Sequence, residues 1–360
     1  MIGFMGGFGG NNLGDELIAL VNYMLANNIG LNKEDIYFFS FNKIESMKNF
    51  PDINWIEYNK LPDLFNKLKN ISYLKTNKNL FKNFNKIILG AGGLFYDYRM
   101  FHLIGWYSRV SYLNNNNIPY SLFGVSLQKS YNLLGRKLVR YILANSSYNS
   151  FRDSLSIISA QKLVKGIYVD KIIDPVFYLK KVLKINKLQK FSKVLIAPRR
   201  WKNFNNLYKD LIEYLLKNKI EFDFWALDLR EDIDFCKKLQ NMFNLNNQIL
   251  QTPIKIGLNK IFEIINNYEY IIGVRFHSIV IASILGKKII AIPYDLKVNG
   301  LMKDLYLSKF LYTEGNINQF LDKSFNEWYK KGKDYIDLYS SYINDSIPLI
   351  EESFEKAIFS

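Results

Sequence analysis

One cysteine, Cys236, and two histidines, His102 and His277, are all that a chain of 360 residues contains of either type. A single thiol excludes an internal disulfide framework and fits a reducing compartment. One cysteine and two distant histidines leave zinc no ligand set, so no metal is expected. No secretory signal is visible, because Met1 to Phe8 lacks a basic segment and runs straight into glycines. The most apolar run, Ile271 to Leu285, is interrupted by Arg275 and His277 and is too short to span a bilayer. The expectation is a soluble, cytoplasmic protein. Arginine is scarce too. Only nine are present, so the net charge of +15, from 48 Lys+Arg against 33 Asp+Glu, is mostly lysine. Lysine and asparagine are spread along the chain, whereas a nucleic-acid binder gathers its cations in a stripe interleaved with aromatics; no nucleic acid is expected. Anionic small molecules suit the charge better, as does peripheral contact with the anionic inner face of a membrane.

What the chain does have is apolar mass: 49% of its residues are hydrophobic and 16% aromatic, enough for substantial cores. Its length suits two domains. Strand-like runs at Met1–Met5, Ile36–Phe41, Ile53–Tyr58, Lys86–Leu89, Pro119–Val125, Asn149–Arg152 and Ile167–Ile173 alternate with helical patterns. One of these, the lysine-rich Leu61–Asn85, is expected to be helix with loops. The alternation resumes at Val194–Ala197, Phe222–Leu227 and Ile249, and becomes helical after Phe310. Such order implies parallel sheets covered by helices. The fold class is therefore α/β, with two Rossmann-like parallel-sheet domains whose C-terminal strand edges face a cleft. Residues 1–180 form the first domain and 190–330 the second, with 331–360 a helical segment that crosses back to the first. The stretch 179–191 is the boundary.

Two glycine-rich stretches follow strands in the first half, GGFGGNNLGDE from Gly6 and GAGG from Gly90. Glycine lets a backbone approach a ligand closely, which nominates Asn11, Asn12, Asp15, Gly92 and Gly93. The spacing is not a dinucleotide fingerprint, and helix capping explains Asp15 equally well. Arg152 ends a strand beside Asp153, a candidate helix cap; a salt bridge and a ligand contact are both open for it. His102, among Phe101, Trp106 and Tyr107, reads as a packed histidine.

The stretch YIIGVRFHSIVIASILGKKIIAIPYDLKVNGL, Tyr270–Leu301, reads as strand to Val274, helix from Ser278 to Leu285, strand from Lys288 to Pro293 and then a turn through Lys297. Ligands of parallel sheets bind beyond the C-terminal strand ends. Arg275, His277 and Lys297 lie on that edge, as do Arg199 and Arg200 after Ala197. Bases at a helix start oppose the helix dipole, which argues for an anionic ligand.

The ordered motifs resemble the polysaccharide pyruvyl transferases. The likeness runs through GGFGGNNLGDE, GAGGLFYD, FRDSLS, DPVF, PRRW, VRFHSIVIASILG and IPYDLKVNG. A departure follows the strand Tyr120–Val125, where the family often has a Gly-Ile-Gly-Pro-like turn and this chain has Gly124-Val125-Ser126-Leu127-Gln128. The resemblance implies a fold like that of the GT-B glycosyltransferases. It also implies transfer of pyruvate from phosphoenolpyruvate onto two hydroxyls of a free or lipid-linked sugar, as a cyclic ketal, with no cofactor. Arg152, Arg199, Arg275 and Lys297 would then bind the donor, and His277 would move the proton. Asn11, Asn12, Asp15, Gly92 and Gly93 would lie on the acceptor side. Alternatives are a GT-B glycosyltransferase using a nucleotide-sugar and, further off, a basic nucleic-acid-binding protein.

Overall fold

Short runs of β-branched and aromatic residues, separated by helices, build two all-parallel sheets in a computed structural model that describes residues 1–57, 81, 83–183, 191–201 and 205–360. Of the expected helix at 61–85, residues 61–80 and 82 lie outside the described residues, as do 184–190 of the expected boundary. The chain divides into two compact units. The first comprises Met1–Gly10, Asp15–Pro175 and Ser346–Ser360, the second Asn11–Gly14 and Val176–Asp345.

The first unit contains β1 (Ile2–Met5), most of α1 (Leu13–Asn28), β2 (Ile36–Ser40), α2 (Lys43–Asn49), β3 (Asn54–Glu57) and β4 (Lys86–Phe95). It continues with α3 (Met100–Asn115), β5 (Tyr120–Leu127), α4 (Leu133–Ala144), β6 (Tyr148–Phe151), α5 (Ser154–Leu163) and β7 (Asp170–Lys171). Its sheet runs β3-β2-β1-β4-β5-β6-β7. Every residue of β5 is buried, as expected of a central parallel strand covered on both faces.

The second unit contains α6 (Leu179–Val182), β8 (Phe191–Ala197), α7 (Asn205–Lys217), β9 (Phe222–Ala226), α8 (Asp232–Phe243), β10 (Ile249–Gln251) and α9 (Leu258–Asn266). Then come β11 (Tyr268–Gly273), α10 (Phe276–Ile284), β12 (Lys288–Ala291) and α11 (Leu296–Asp304). Its sheet runs β10-β9-β8-β11-β12. The long α12 (Ile317–Phe359) has non-helical backbone at Lys331. Its last turns pack within the first unit, where Tyr148 donates to Ser353 at 2.9 Å and the Phe354 ring meets Phe123 at 5.2 Å.

Four expectations change. GAGG does not follow its strand but lies within it: β4 runs on from Leu89 to Phe95, with Gly90 paired to Phe123, Gly92 to Val125 and Gly93 to Ser126. A Cβ on Gly90 would lie 2.5 Å from the Phe123 carbonyl oxygen, so the glycine serves close strand packing. The strand expected at Ile167–Ile173 shrinks to Asp170–Lys171, which pair with Ser150 and Phe151 of β6. The helix after β11 begins at Phe276, two residues earlier than its apolar pattern suggested. Lys297 lies not in a turn but in the first turn of α11, whose Asp295 cap accepts from the Lys297 amide at 3.0 Å.

His102, on α3, accepts a hydrogen bond from Trp106 Nε1 at 3.0 Å and stacks on Tyr96 at 4.3 Å. Burial, and then the Arg109 charge, lower its pKa to about 4. The unfolded chain therefore takes up this proton first, near pH 6.5, as pH falls. This group's contribution to stability is complete above that pH and lost progressively down to about pH 4. Denaturant titrations of His102→Gln should lack that part of the decline. A pH profile identical to wild type between 6.5 and 5 would refute the assignment.

Candidate functional site

The sheet of the second unit has its topological switch between β8 and β11, the place where parallel sheets open a crevice at their C-terminal ends. The two strand exits are pinned together, with the Val274 amide donating to the Ala197 carbonyl at 3.1 Å. Arg199 and Arg275 each follow one of these strands by two residues. The backbone of Arg199 is fixed by buried Tyr208, which accepts from the Arg199 amide at 2.8 Å and donates to its carbonyl at 3.0 Å.

Beyond this point the cations differ. The Arg199 guanidinium lies over the Tyr294 ring at 4.2 Å and over Trp201 at 5.5 Å. The Lys297 ammonium lies 5.2 Å from the same Tyr294 ring and 6.0 Å from Phe276. Neither forms an ion pair among the described residues. Two cations thus share one aromatic ring with no carboxylate paired to either among the described residues, and repulsion between them is relieved most simply by an anion.

Arg275 is built differently. It caps α10, and only 6% of it is exposed. Its Nε donates to Asp232 at 3.0 Å, and its Nη2 donates to Asp232 as well and to Glu231 at 3.4 Å. Burial alone would lower its pKa, but the Asp232 carboxylate outweighs that and raises it. The Asp232 carboxylate also accepts from the Asp228 amide at 2.9 Å. One acid, at the start of α8, therefore ties the exit of β9 to the start of α10.

His277 is the second residue of α10, its ring 5.3 Å from that of Phe276. Its imidazole lies against Gly14, where a Cβ would fall 1.9 Å from Nδ1. Gly14 belongs to the short segment that clusters with this unit. That segment is laced to the loop after β9: Asn12 bridges Asp228, the Leu13 amide donates to Leu227 at 2.9 Å, and the Leu229 amide donates to Asn11 at 3.1 Å. The Asn12 side chain accepts from the Gly14 amide at 3.0 Å, and Asn11 takes a left-handed φ of 54°. These asparagines shape the turn that presents Gly14 to His277.

The remaining candidates belong to the first unit. Arg152 is buried, pairs with Asp174 and donates from Nε to Ser126 at 2.6 Å. Asp153 caps α5 by accepting from Ser156 at 2.8 Å. Asp15 flanks Gly7, where a Cβ would lie 3.1 Å from the carboxylate, and Glu16 closes the glycine turn by accepting from Gly9 at 3.0 Å. Gly92 and Gly93 sit in β4. Among the described residues no group of His, Cys, Asp and Glu is placed to hold a metal ion, and no helix is long and apolar enough to cross a membrane.

Sequence reasoning overlooked Tyr294, Gly14 and Asp232. Tyr294 was within reach, since it lies between the strand and Lys297 in a motif already singled out. Asp232 was not, because nothing local marks an acid 43 positions before its arginine. Two outcomes follow. Removing the Asp232 charge leaves a buried, unpaired guanidinium, so Asp232→Ala should lose about 3–5 kcal/mol in urea titrations, whereas Asp232→Leu with Arg275→Met should recover most of it. Gly14→Ala should displace the imidazole, shifting the His277 ring resonances in NMR. Unchanged resonances would sink the packing argument.

No curated protein sequence matches this chain. Solved structures similar to it include Anabaena Alr3699/HepE in complex with UDP and glucose, with a TM-score of 0.64 and 12% identity over 99% of both chains. The UDP-GlcNAc 2-epimerase from Neisseria meningitidis, bound to UDP-GlcNAc, gives 0.61 and 14% over 99% of this chain and 100% of that one. The lipopolysaccharide outer core galactosyltransferase WaaB gives 0.58 and 13% over 99% of both. At such identities the likeness establishes the fold, the GT-B arrangement of two parallel α/β sheets. Family assignment comes from the sequence profile of the polysaccharide pyruvyl transferases, which matches residues 12–295. That span takes in the end of the first glycine stretch from Asn12, the whole of GAGG, Arg152, Arg199, the Arg275–His277 helix start and Tyr294. With most of its length matched in this way, the chain belongs to the polysaccharide pyruvyl transferase family.

Proposed function

We propose that this transferase moves pyruvate from phosphoenolpyruvate to two hydroxyls of a sugar acceptor, free or lipid-linked, producing a cyclic ketal and inorganic phosphate. The observation that carries the reading is the pair of cations, Arg199 and Lys297, held on Tyr294 without an acid partner among the described residues. Phosphoenolpyruvate presents a carboxylate and a phosphate, and arginine grips either one through two parallel hydrogen bonds. A cation–π contact is worth about 0.5–2 kcal/mol, so these side chains can turn to an anion at small cost. Arg275 and Arg152, held by buried carboxylates, would instead fix the strand exits of their own units.

The chemistry needs one proton delivered to the enol methylene carbon. His277, at the head of α10, is the side chain whose normal pKa suits that step. Protonation leaves the adjacent carbon electron-poor, and a first sugar hydroxyl adds to it and loses its proton. The carbon–oxygen bond to phosphate then breaks, phosphate departs with the bonding pair, and the second hydroxyl closes the ring. Of the two hydroxyl protons, one replaces that taken from His277 and the other leaves with phosphate. No cofactor is required.

The neighbours that hold UDP or a UDP-sugar favour a second reading, a nucleotide-sugar transferase in which the same cations take the diphosphate. Mass spectrometry of the acceptor after incubation with each donor separates the two. Phosphate should be released from phosphoenolpyruvate only when an acceptor is present; release that ignores the acceptor, or none with any sugar tried while UDP-sugars react, overturns the pyruvyl reading. His277→Gln should lower turnover by about 10²–10⁴-fold with donor affinity little changed. Arg199→Ala should weaken donor binding by about 1.5–3 kcal/mol, read by calorimetry.

A further inference from the structure

Helix α4 carries a surface that the transfer chemistry does not use. Its buried face is Gly135, Val139, Ile142 and Leu143. On the opposite side Leu133, 79% exposed, heads a stripe with Arg136 and Lys137, the positions three and four residues on, both exposed. Leu134, 47% exposed, stands beside it, and exposed Lys129 precedes the helix. Arg140 prolongs the stripe, its Nε anchored to the Leu163 carbonyl at 2.8 Å.

The leucines are presented by a built turn. Asn132 caps the helix by accepting from Gly135 at 2.8 Å, and the Asp97 carboxylate accepts from the Asn132 amide at 2.7 Å. Asp97 also packs on Gly135, where a Cβ would meet it at 2.8 Å. This contact brings the loop after β4, with exposed Tyr98, to the same helix start. From Tyr98 to Arg152 the sequence has seven Lys and Arg and no Asp or Glu. Apart from Asp97, whose carboxylate is engaged by the Asn132 amide, the charges around this helix start are basic.

We infer that this face of α4 docks on an anionic lipid bilayer, with Leu133 and Leu134 entering the headgroup–acyl boundary and Lys129, Arg136 and Lys137 meeting lipid phosphates. Exposed leucines beside exposed cations combine apolar insertion with attraction to lipid phosphate, the two terms that hold a protein at an anionic interface. A nucleic acid would use the cations but give the leucines no apolar surface to enter. The inference is independent of the donor assignment, since none of these residues belongs to the site on the second unit.

The test is co-sedimentation of the full chain with vesicles of phosphatidylcholine alone and of phosphatidylcholine mixed equally with phosphatidylglycerol. Wild type should bind the anionic vesicles and not the neutral ones. Each basic residue near such a surface is worth roughly fivefold in affinity, so Arg136→Glu with Lys137→Glu should lose at least about tenfold. The control Lys237→Glu with Lys238→Glu, the same charge change on α8, should change binding far less. Leu133→Ser with Leu134→Ser should abolish the binding that remains when salt screens the charges. All variants should keep the wild-type circular dichroism spectrum and urea midpoint, so that a loss of binding reports the surface and not the fold. Equal losses in the α4 and α8 charge variants would assign binding to diffuse lysine charge and overturn the proposal. Unchanged binding of the leucine variant, equal binding to neutral vesicles, or no binding to either would overturn it as well.

Discussion

The ion pair between Arg275 and Asp232 is the constraint on which the site of the second unit depends. Both side chains are buried, and desolvating two charges costs several kcal/mol for each, so the pair has no clear advantage in stability over a well-packed apolar one. Its value is geometric. Asp232 collects Arg275 at the start of α10 and the Asp228 amide at the exit of β9. The Asp228 strand edge in turn pairs with Asn12. A carboxylate in the first turn of α8 is also favoured by that helix's dipole. One buried charge thereby sets the direction of the helix that carries His277 and the position of the turn that carries Gly14.

The arginines and lysine nominated for the donor divide by what holds them. Arg152 and Arg275 face buried carboxylates, and breaking either pair would strand a charge in a low-dielectric interior. Arg199 and Lys297 rest on Tyr294, a contact several-fold weaker than a charge-assisted pair with a ligand anion. The first two are suited to hold geometry and the second two to change partners. Chemical type does not distinguish Arg199 from Arg275. Their neighbours do.

Glycine acts here as a steric device more than as a source of loops. At Gly14 the missing side chain makes room for an imidazole, and at Gly90 it makes room for a neighbouring strand's carbonyl. Both positions lie in regular structure, one in the first turn of α1 and the other inside β4. The GAGG run looks like a loop from sequence because glycine there is indistinguishable from glycine chosen for a turn. Only the register of β4 against β5 shows which constraint applies.

Sequence periodicity was enough to place nearly every described strand, because in parallel sheets buried on both faces each strand is a continuous apolar run bounded by polar turns. The α/β class, the C-terminal strand edges and the residues on them follow from that alternation alone. The helix Leu296–Asp304 escaped because Asn299 and Gly300 dilute its pattern. The short β7 was overread because apolar residues flank, on both sides, the two positions that pair with β6. Local chemistry by itself determined which residues could serve an anion and a proton, since charge, pKa range and helix-start position are properties of short segments. Which of those cations is neutralised and which is left on an aromatic ring was decided only by tertiary structure. The partners come from tens of residues away, Asp232 for Arg275 and Tyr294 for Arg199, and pairing between distant positions is set by the packing of strands and helices and has no local signature.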